Sequence, residues 1–286
     1  MQRIHFYKMT GAGNDFIMID NRRRVIDADD CEDLVCGICR RRVSVGADGV
    51  ILIENDTEAD FRWRFFNPDG SEPKMCGNGA RCATRFAYMT GIVDKPRMSF
   101  RTGAGIIQAE LLDTRVKVQM PAPSDMRLNL GIDIEDRSFV LDFVNTGVPH
   151  AVCFLKEKNE HEKIDVANLG RRIRFHGSFQ PDGTNVDFVF VENSHCLSVR
   201  TYERGVEEET LACGTGAIAS ALLAAVQGLA KSPVEIRVRS GETLTVCFEN
   251  TDGSSPFMGD VYLEGDALIV YEADLWPESV RLTSRT

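Results

Sequence analysis

Two cysteines open near-identical segments of this chain, Cys76-Gly77-Asn78-Gly79-Ala80 and Cys213-Gly214-Thr215-Gly216-Ala217. Each begins an apolar, Ala-rich run of helical length, closed by a glycine at the same offset, Gly91 and Gly228. A cysteine at a helix N-terminus lies where backbone N–H groups point outward and the helix dipole is positive. That setting lowers a thiol's pKa and raises its thiolate fraction. The following Gly-x-Gly lets a ligand approach the bare N–H groups, which are donors suited to a carboxylate. Two such ends facing each other would grip one carboxylate, with a sulfur on each face of the adjacent carbon. This arrangement serves proton exchange at a stereocentre. One thiolate removes the α-proton, the opposite thiol delivers a proton to the other face, and the configuration inverts. The N–H groups stabilise the enolate-like charge that develops. No cofactor is demanded. The same geometry would also serve a redox disulfide pair, and a lone cysteine opening a buried helix is ordinarily a small core residue. The repetition with identical glycine spacing is what favours catalysis.

The elements that must position these thiols are repeated too. Thr10-Gly11 matches Thr146-Gly147, Glu54-Asn55 matches Glu192-Asn193, and Arg101-Thr102-Gly103 matches Arg239-Ser240-Gly241, at offsets of 136 to 138 residues, against 137 (213 − 76) for the cysteines. A constant offset across separate segments reads as two homologous halves, 1–121 and 122–265. The polar stretch Pro121-Ala122-Pro123-Ser124-Asp125 is the expected linker. The tail 266–286 exceeds the repeat and is expected to cross back and complete the first half. Runs rich in Val, Ile and Phe predict strands, among them Gly13 to Asp20, Val50 to Glu54, Phe61 to Phe66, Phe188 to Glu192 and Leu197 to Tyr202. Helices are expected over Gly79 to Thr90 and Thr215 to Gln227, both apolar on most faces and therefore buried. Lesser helices are expected over Asp29 to Arg41 and Asp165 to Arg174. Many strands around one buried helix, done twice, is an α+β architecture.

The 286 residues, 43% hydrophobic and 27% charged, fit a soluble globular protein of two ordinary domains or one large one. No apolar stretch approaches a membrane span. The N-terminal residues lack a signal peptide's apolar core, so a cytoplasmic location is expected. A net charge of −10 argues against nucleic-acid or membrane-surface partners. Nine cysteines, an odd number, fit reduced thiols better than a disulfide framework. Cys31, Cys36 and Cys39 offer no fourth ligand for structural zinc and read as packing, so no metal site is expected. Gly11-Ala12-Gly13 and Gly103-Ala104-Gly105 lack the rest of a dinucleotide fingerprint. His5, His161, His176 and His195 are isolated, whereas His150 ends the turn Thr146-Gly147-Val148-Pro149 in register with Asn14. Glu207-Glu208-Glu209 reads as a solvated turn.

The chain resembles the diaminopimelate epimerases, cofactor-independent amino-acid epimerases of lysine and peptidoglycan precursor synthesis. The carrying segments are Thr10-Gly11-Ala12-Gly13-Asn14-Asp15-Phe16, Phe66-Asn67-Pro68-Asp69-Gly70-Ser71, Met75 to Cys82, Pro149-His150, Asn185, Tyr202-Glu203-Arg204-Gly205 and Glu209 to Gly216. The resemblance implies two pseudo-symmetric halves, each a curled, mainly antiparallel sheet wrapped around a central helix, with the site in the cleft between them. It implies Cys76 and Cys213 as the acid/base pair interconverting LL- and meso-diaminopimelate. Gly77-Asn78 and Gly214-Thr215 would bind the reacting carboxylate through backbone N–H groups. Asn14, Asn67, Asn185, Glu203 and Arg204 would contact the substrate, and His150 and Glu203 would tune the thiols. A homodimer is the assembly it suggests. Sister racemases acting on proline or hydroxyproline are the nearest alternative, but they carry His where this chain has Asn78. A non-catalytic thiol-redox or binding protein is the alternative of another class. Two departures concern the distal end of the substrate: many members have Asn at Val148, and some have Gln at Gly49.

Overall fold

The computed structural model describes residues 3–27, 31–135, 137–249, 259–276 and 278. The chain forms two compact units, one from 1–118 with 265–286 and the other from 119–264.

In the first unit, β1 (Ile4–Gly11) turns tightly into β2 (Asn14–Asp20), with Ala12 and Gly13 both at positive φ. Helix α1 (Cys31–Ile38) leads to β3 (Gly49–Glu54) and β4 (Phe61–Phe66). Helix α2 (Gly77–Met89) then precedes β5 (Arg97–Thr102), β6 (Gly105–Leu112) and β7 (Arg115–Met120). The strand Leu268–Leu275 lies antiparallel to β1. From that strand through β1 to β7 in order, the pairings run antiparallel, antiparallel, parallel, antiparallel, parallel, antiparallel, antiparallel. Strand β3 is buried on both faces, which is why it reads as an unbroken apolar run. Val50 and Leu52 pack with Val35 and Ile38 of α1. Ile51 and Ile53 point the other way by the period-2 rule, towards α2, which packs on β1, β2, β3 and β6. A helix touching strands so far apart in the pairing order means the sheet curls around it.

The second unit repeats this plan. Its elements are β8 (Ser124–Ile134), β9 (Arg137–Asn145), β10 (Pro149–Leu155), α3 (Lys158–Lys163), α4 (Val166–Arg174), β11 (Asn185–Asn193), β12 (Cys196–Glu203), β13 (Glu208–Thr210), α5 (Gly214–Val226), β14 (Val234–Arg237), β15 (Thr243–Phe248) and β16 (Val261–Asp266). With β13 set aside as a side pairing on β12, the order β8 to β16 shows the same succession of antiparallel and parallel pairs as the first unit. Val186 and Phe188 of β11 pack outward against Val166 and Ile173 of α4. The central helix α5 packs on β9, β10, β11, β12, β14 and β15. Its Ile218, Leu222 and Leu223 are fully buried or nearly so, and truncating such a leucine to alanine costs about 2–5 kcal/mol. The architecture is α+β, with a curled sheet around a buried helix in each unit.

Some expectations need adjusting. The linker stretch is not all linker, because β8 already begins at Ser124, which pairs with Asn145. The first lesser helix spans only Cys31–Ile38, and the expected start at Asp29 lies outside the described residues, as do 277 and 279–286 of the tail. Strands β5, β6, β8 and β13, and helix α3, were not among the expected elements: β5 alternates over a short length, and β6, β8, β13 and α3 are largely exposed or only partly buried.

Candidate active site

Both cysteines are helix N-caps. Cys76 caps α2 in extended conformation, and its Sγ accepts from the Gly79 N–H at 3.5 Å. Cys213 caps α5, also extended, and its Sγ lies 3.3 Å from Thr215 Oγ1. No cysteine among the described residues is joined in a disulfide.

Around Cys76 the first turn of α2 is held by a chain of amide and charged groups. Asn78 Nδ2 donates to Asn14 Oδ1 at 2.7 Å, and Asn14 Nδ2 donates to Asp48 Oδ2 at 3.0 Å. Arg41 bridges Asp48 and Asp15, and the buried Lys8 pairs with Asp15 at 2.8 Å. Burial pushes the Asp15 carboxyl upward, but hydrogen bonds from Arg41 and Lys8 outweigh it and bring it down to about 2. Arg81 is completely buried, and its guanidinium donates to Asn78 Oδ1 at 2.9 Å. Asn67 closes a separate turn: its N–H donates to the Ser71 carbonyl at 2.8 Å and its Nδ2 to Ser71 Oγ at 3.0 Å.

Around Cys213 the groups are titratable. His150 is fully buried, with Nδ1 2.7 Å from Asp187 Oδ2 and Nε2 2.9 Å from Thr215 Oγ1. Thr201 Oγ1 donates to Asp187 Oδ1 at 2.6 Å. Asn185 spends its side chain on the scaffold, accepting from Arg204 N–H at 2.7 Å and donating to the Pro149 carbonyl at 3.0 Å. Arg204 donates to the Asp182 carbonyl at 3.2 Å. Thr146 Oγ1 donates to the Thr215 carbonyl at 3.1 Å, tying the turn before His150 to the helix end.

The expectation that a helix N-terminus lowers the thiol pKa fails at Cys213. Burial pushes this thiol well above its ordinary value, and the nearby Glu203 and Asp187 carboxylates push it further. Polar contacts with the Thr215 hydroxyl and the Gly216 N–H only partly oppose them. Glu203 is itself raised, chiefly by burial. Cys213 is therefore a thiol at neutral pH. The acidic loop is not simply solvated either: Glu207 holds Arg174 and Tyr202, and Glu209 forms a two-pronged pair with Arg200. At Gly49 an added Cβ would meet Phe65 Cε2 at 2.5 Å, so that ring occupies the space a side chain would need. Val148 is half-buried in the turn, where its carbonyl accepts from Thr146 N–H at 3.1 Å.

Thus Asn14 and Asn78 gather at the Cys76 end, and His150, Asn185, Glu203, Arg204 and Thr215 gather at the Cys213 end. Sequence reading missed Asp187, Thr201, Arg81 and the Lys8–Asp15–Arg41–Asp48 network. A carboxylate inside the apolar run Val186 to Val191, and an arginine inside an Ala-rich buried helix, were the available signals. Among the described residues no group of three or more His, Cys, Asp or Glu could hold a metal ion, and no described helix is long and apolar enough to cross a membrane.

Residues 6–125 and 143–264 match the family described as diaminopimelate epimerase. The chain belongs to the diaminopimelate epimerase family. The diaminopimelate epimerase of Aquifex aeolicus is 45% identical, over 96% of this chain and 99% of the relative. That of Hydrogenobaculum sp. is 45% identical, over 94% and 97%. Among solved structures, a phenazine biosynthesis protein of the PhzF family from Bacillus anthracis superimposes with a TM-score of 0.75 at 16% identity, covering 96% of this chain and 100% of that one. A probable proline racemase from Agrobacterium radiobacter, with bound carbonate, gives 0.69 at 17% identity, over 97% and 95%. At such identities these neighbours establish the fold alone.

Proposed function

We propose that this protein is a diaminopimelate epimerase, interconverting LL- and meso-diaminopimelate in lysine and peptidoglycan precursor synthesis. The observation that carries the reading is a cysteine at the N-cap of each central helix in a chain of this family. Cys76 and Cys213 are the acid/base pair. One thiolate takes the α-proton and the other thiol returns a proton to the opposite face, so sulfur protonation inverts with each turnover. The two cysteines exchange the roles of acid and base with the direction of the reaction. Backbone N–H groups of Gly77-Asn78 and Gly214-Thr215 hold the reacting carboxylate and its enolate-like successor. Asn14, Asn67, Asn185 and Arg204 position the substrate, with the Arg204 fork suited to the distal carboxylate. Glu203 and His150 tune the thiols. The reading includes a cytoplasmic location and a homodimer, the latter testable by light scattering.

The deciding experiment is α-proton wash-in from deuterated water with LL-diaminopimelate, glutamate and proline offered separately. Exchange with the first alone is expected. Exchange with proline, or with none of the three, would overturn the reading.

A further inference from the structure

The second unit holds a buried polar chain that ends on one sulfur. Asp187 lies on the inward face of β11, between outward-packed Val186 and Phe188. Its Oδ1 takes the Thr201 hydroxyl and its Oδ2 faces His150 Nδ1. A carboxylate only accepts hydrogen bonds, so Nδ1 carries the ring proton and Nε2 is left as an acceptor. Two donors meet that nitrogen, the Thr215 hydroxyl at 2.9 Å and Asn185 Nδ2 at 3.4 Å. With its proton given to Nε2, Thr215 Oγ1 has lone pairs free for the Cys213 S–H, 3.3 Å away. Asp187, His150, Asn185 and Thr201 are all at most 4% exposed. The chain also accounts for Gly216, where a Cβ would stand 2.3 Å from Asp187 Oδ1. Only glycine lets the carboxylate lie against this turn.

We propose that Asp187, His150 and Thr215 form a proton relay to Cys213, in which Asp187 is a positioning residue that fixes the His150 tautomer and the Thr215 hydroxyl carries the proton. This rests on the reading of Cys213 as an acid/base thiol. Cys213 S–H gives its proton to Thr215 Oγ1 as the hydroxyl's own proton moves to His150 Nε2. The products are a thiolate and an imidazolium whose Nδ1–H faces Asp187. Two O–H or N–H bonds form as one S–H and one O–H bond break, and no proton is gained or lost. Running backward, the relay restores the thiol. The groups facing the sulfur are Glu203 from β12, Asp187 from β11, and the Thr215 hydroxyl and Gly216 N–H from α5, with His150 of β10 behind Thr215.

The test follows alkylation of Cys213 and Cys76 separately, by peptide mass spectrometry, between about pH 6 and 10, where thiolate formation governs the rate. Thr215→Val keeps the side-chain shape and removes the hydroxyl. It should slow Cys213 alkylation near neutral pH about tenfold, equivalent to about one pKa unit, and leave Cys76 unchanged. Thr215→Ser should restore the wild-type profile. Asp187→Asn should also slow Cys213, although it removes a negative charge beside the sulfur. A charge effect alone would speed it. A Thr215→Val profile within about twofold of wild type, or faster alkylation in Asp187→Asn, would overturn the relay. Wild-type α-proton exchange is scored independently. Its absence, with Cys213 still slowed by Thr215→Val, would remove the epimerase reading and leave the relay standing.

Discussion

An added methyl at Gly79 would meet the Cδ1 of Ile51 at 2.9 Å, whereas at Gly216, the matching position, it would meet Oδ1 of Asp187 at 2.3 Å. The same five-residue pattern thus rests on an apolar chain end in the first unit and on a buried carboxylate in the second. Strand register locates the difference. Gly49 pairs with Phe16 and Asp187 pairs with Val152, offsets of 138 and 136 residues. The strand position that carries Asp187 in one unit is a glycine covered by the Phe65 ring in the other. The two units share the backbone that places each thiol at a helix N-cap and differ in what supports it. The Cys76 end is held by amides and ion pairs through Asn78, Asn14 and Asp48. The Cys213 end is held by groups able to move a proton.

If the two ends are equal partners in one reaction, Cys76→Ala and Cys213→Ala should each reduce epimerisation by roughly 10³-fold or more, in line with removal of an acid/base group. Turnover assays in both stereochemical directions check this. Either variant keeping about a tenth of wild-type turnover would mean that one sulfur is dispensable and the symmetry is only structural.

The glycine contrast gives the next largest effect. Alanine in a helix is worth up to about 1 kcal/mol over glycine. At Gly79 the obstacle is the flexible end of Ile51, so Gly79→Ala should lie within about 1 kcal/mol of wild type. At Gly216 the methyl must displace a buried carboxylate from Thr201 and His150, so Gly216→Ala should lose about 2–4 kcal/mol. Urea unfolding measures both, and equal midpoints would refute the contrast.

How much of this was legible beforehand follows from where each signal sits. The Cys-Gly-x-Gly-Ala repeat exposed the two N-caps, because helix ends and glycine spacing are local. The central helices α2 and α5 were legible as Ala-rich runs apolar on most faces, α5 almost entirely so. Strand β8 was not, because its polar sequence pairs with β9 while exposing most of its length. Asp187 was hidden for another reason. It interrupts an apolar strand, and only the parallel pairing of β10 with β11 brings it to His150. The depressed pKa expected of a helix-capping thiol was a sound local inference that burial reversed at Cys213.

Asn67 and Asn185 extend the comparison at lower stakes. Asn67 bonds within an exposed turn, so Asn67→Ala should change stability by no more than about 0.5 kcal/mol. Asn185 is buried and satisfies the Arg204 N–H and the Pro149 carbonyl. Asn185→Ala leaves both without that partner and should cost about 1–3 kcal/mol. Thermal or urea unfolding of the two variants separates them, and a neutral Asn185→Ala would show that water replaces the amide.

The smallest effect distinguishes the ends by pH. Asp15 has a folded pKa of about 2 against an ordinary 3.8. A depressed carboxyl stabilises the fold above its unfolded value and loses that contribution as pH falls. The gap between wild type and Asp15→Asn, about 1 kcal/mol near neutral pH after allowing for solvent screening, should therefore close between pH 3.8 and about 2. Glu203 runs the other way. Its folded pKa is raised from 4.5 by burial, so its contribution is present below 4.5 and fades as pH rises through the folded value. Glu203→Gln should gain on wild type with increasing pH from 4.5 upward. Urea midpoints across the pH range test both signs. Parallel profiles for the two variants would mean that the first unit's ion pairs and the second unit's buried acid are not the opposed electrostatic supports their geometry describes.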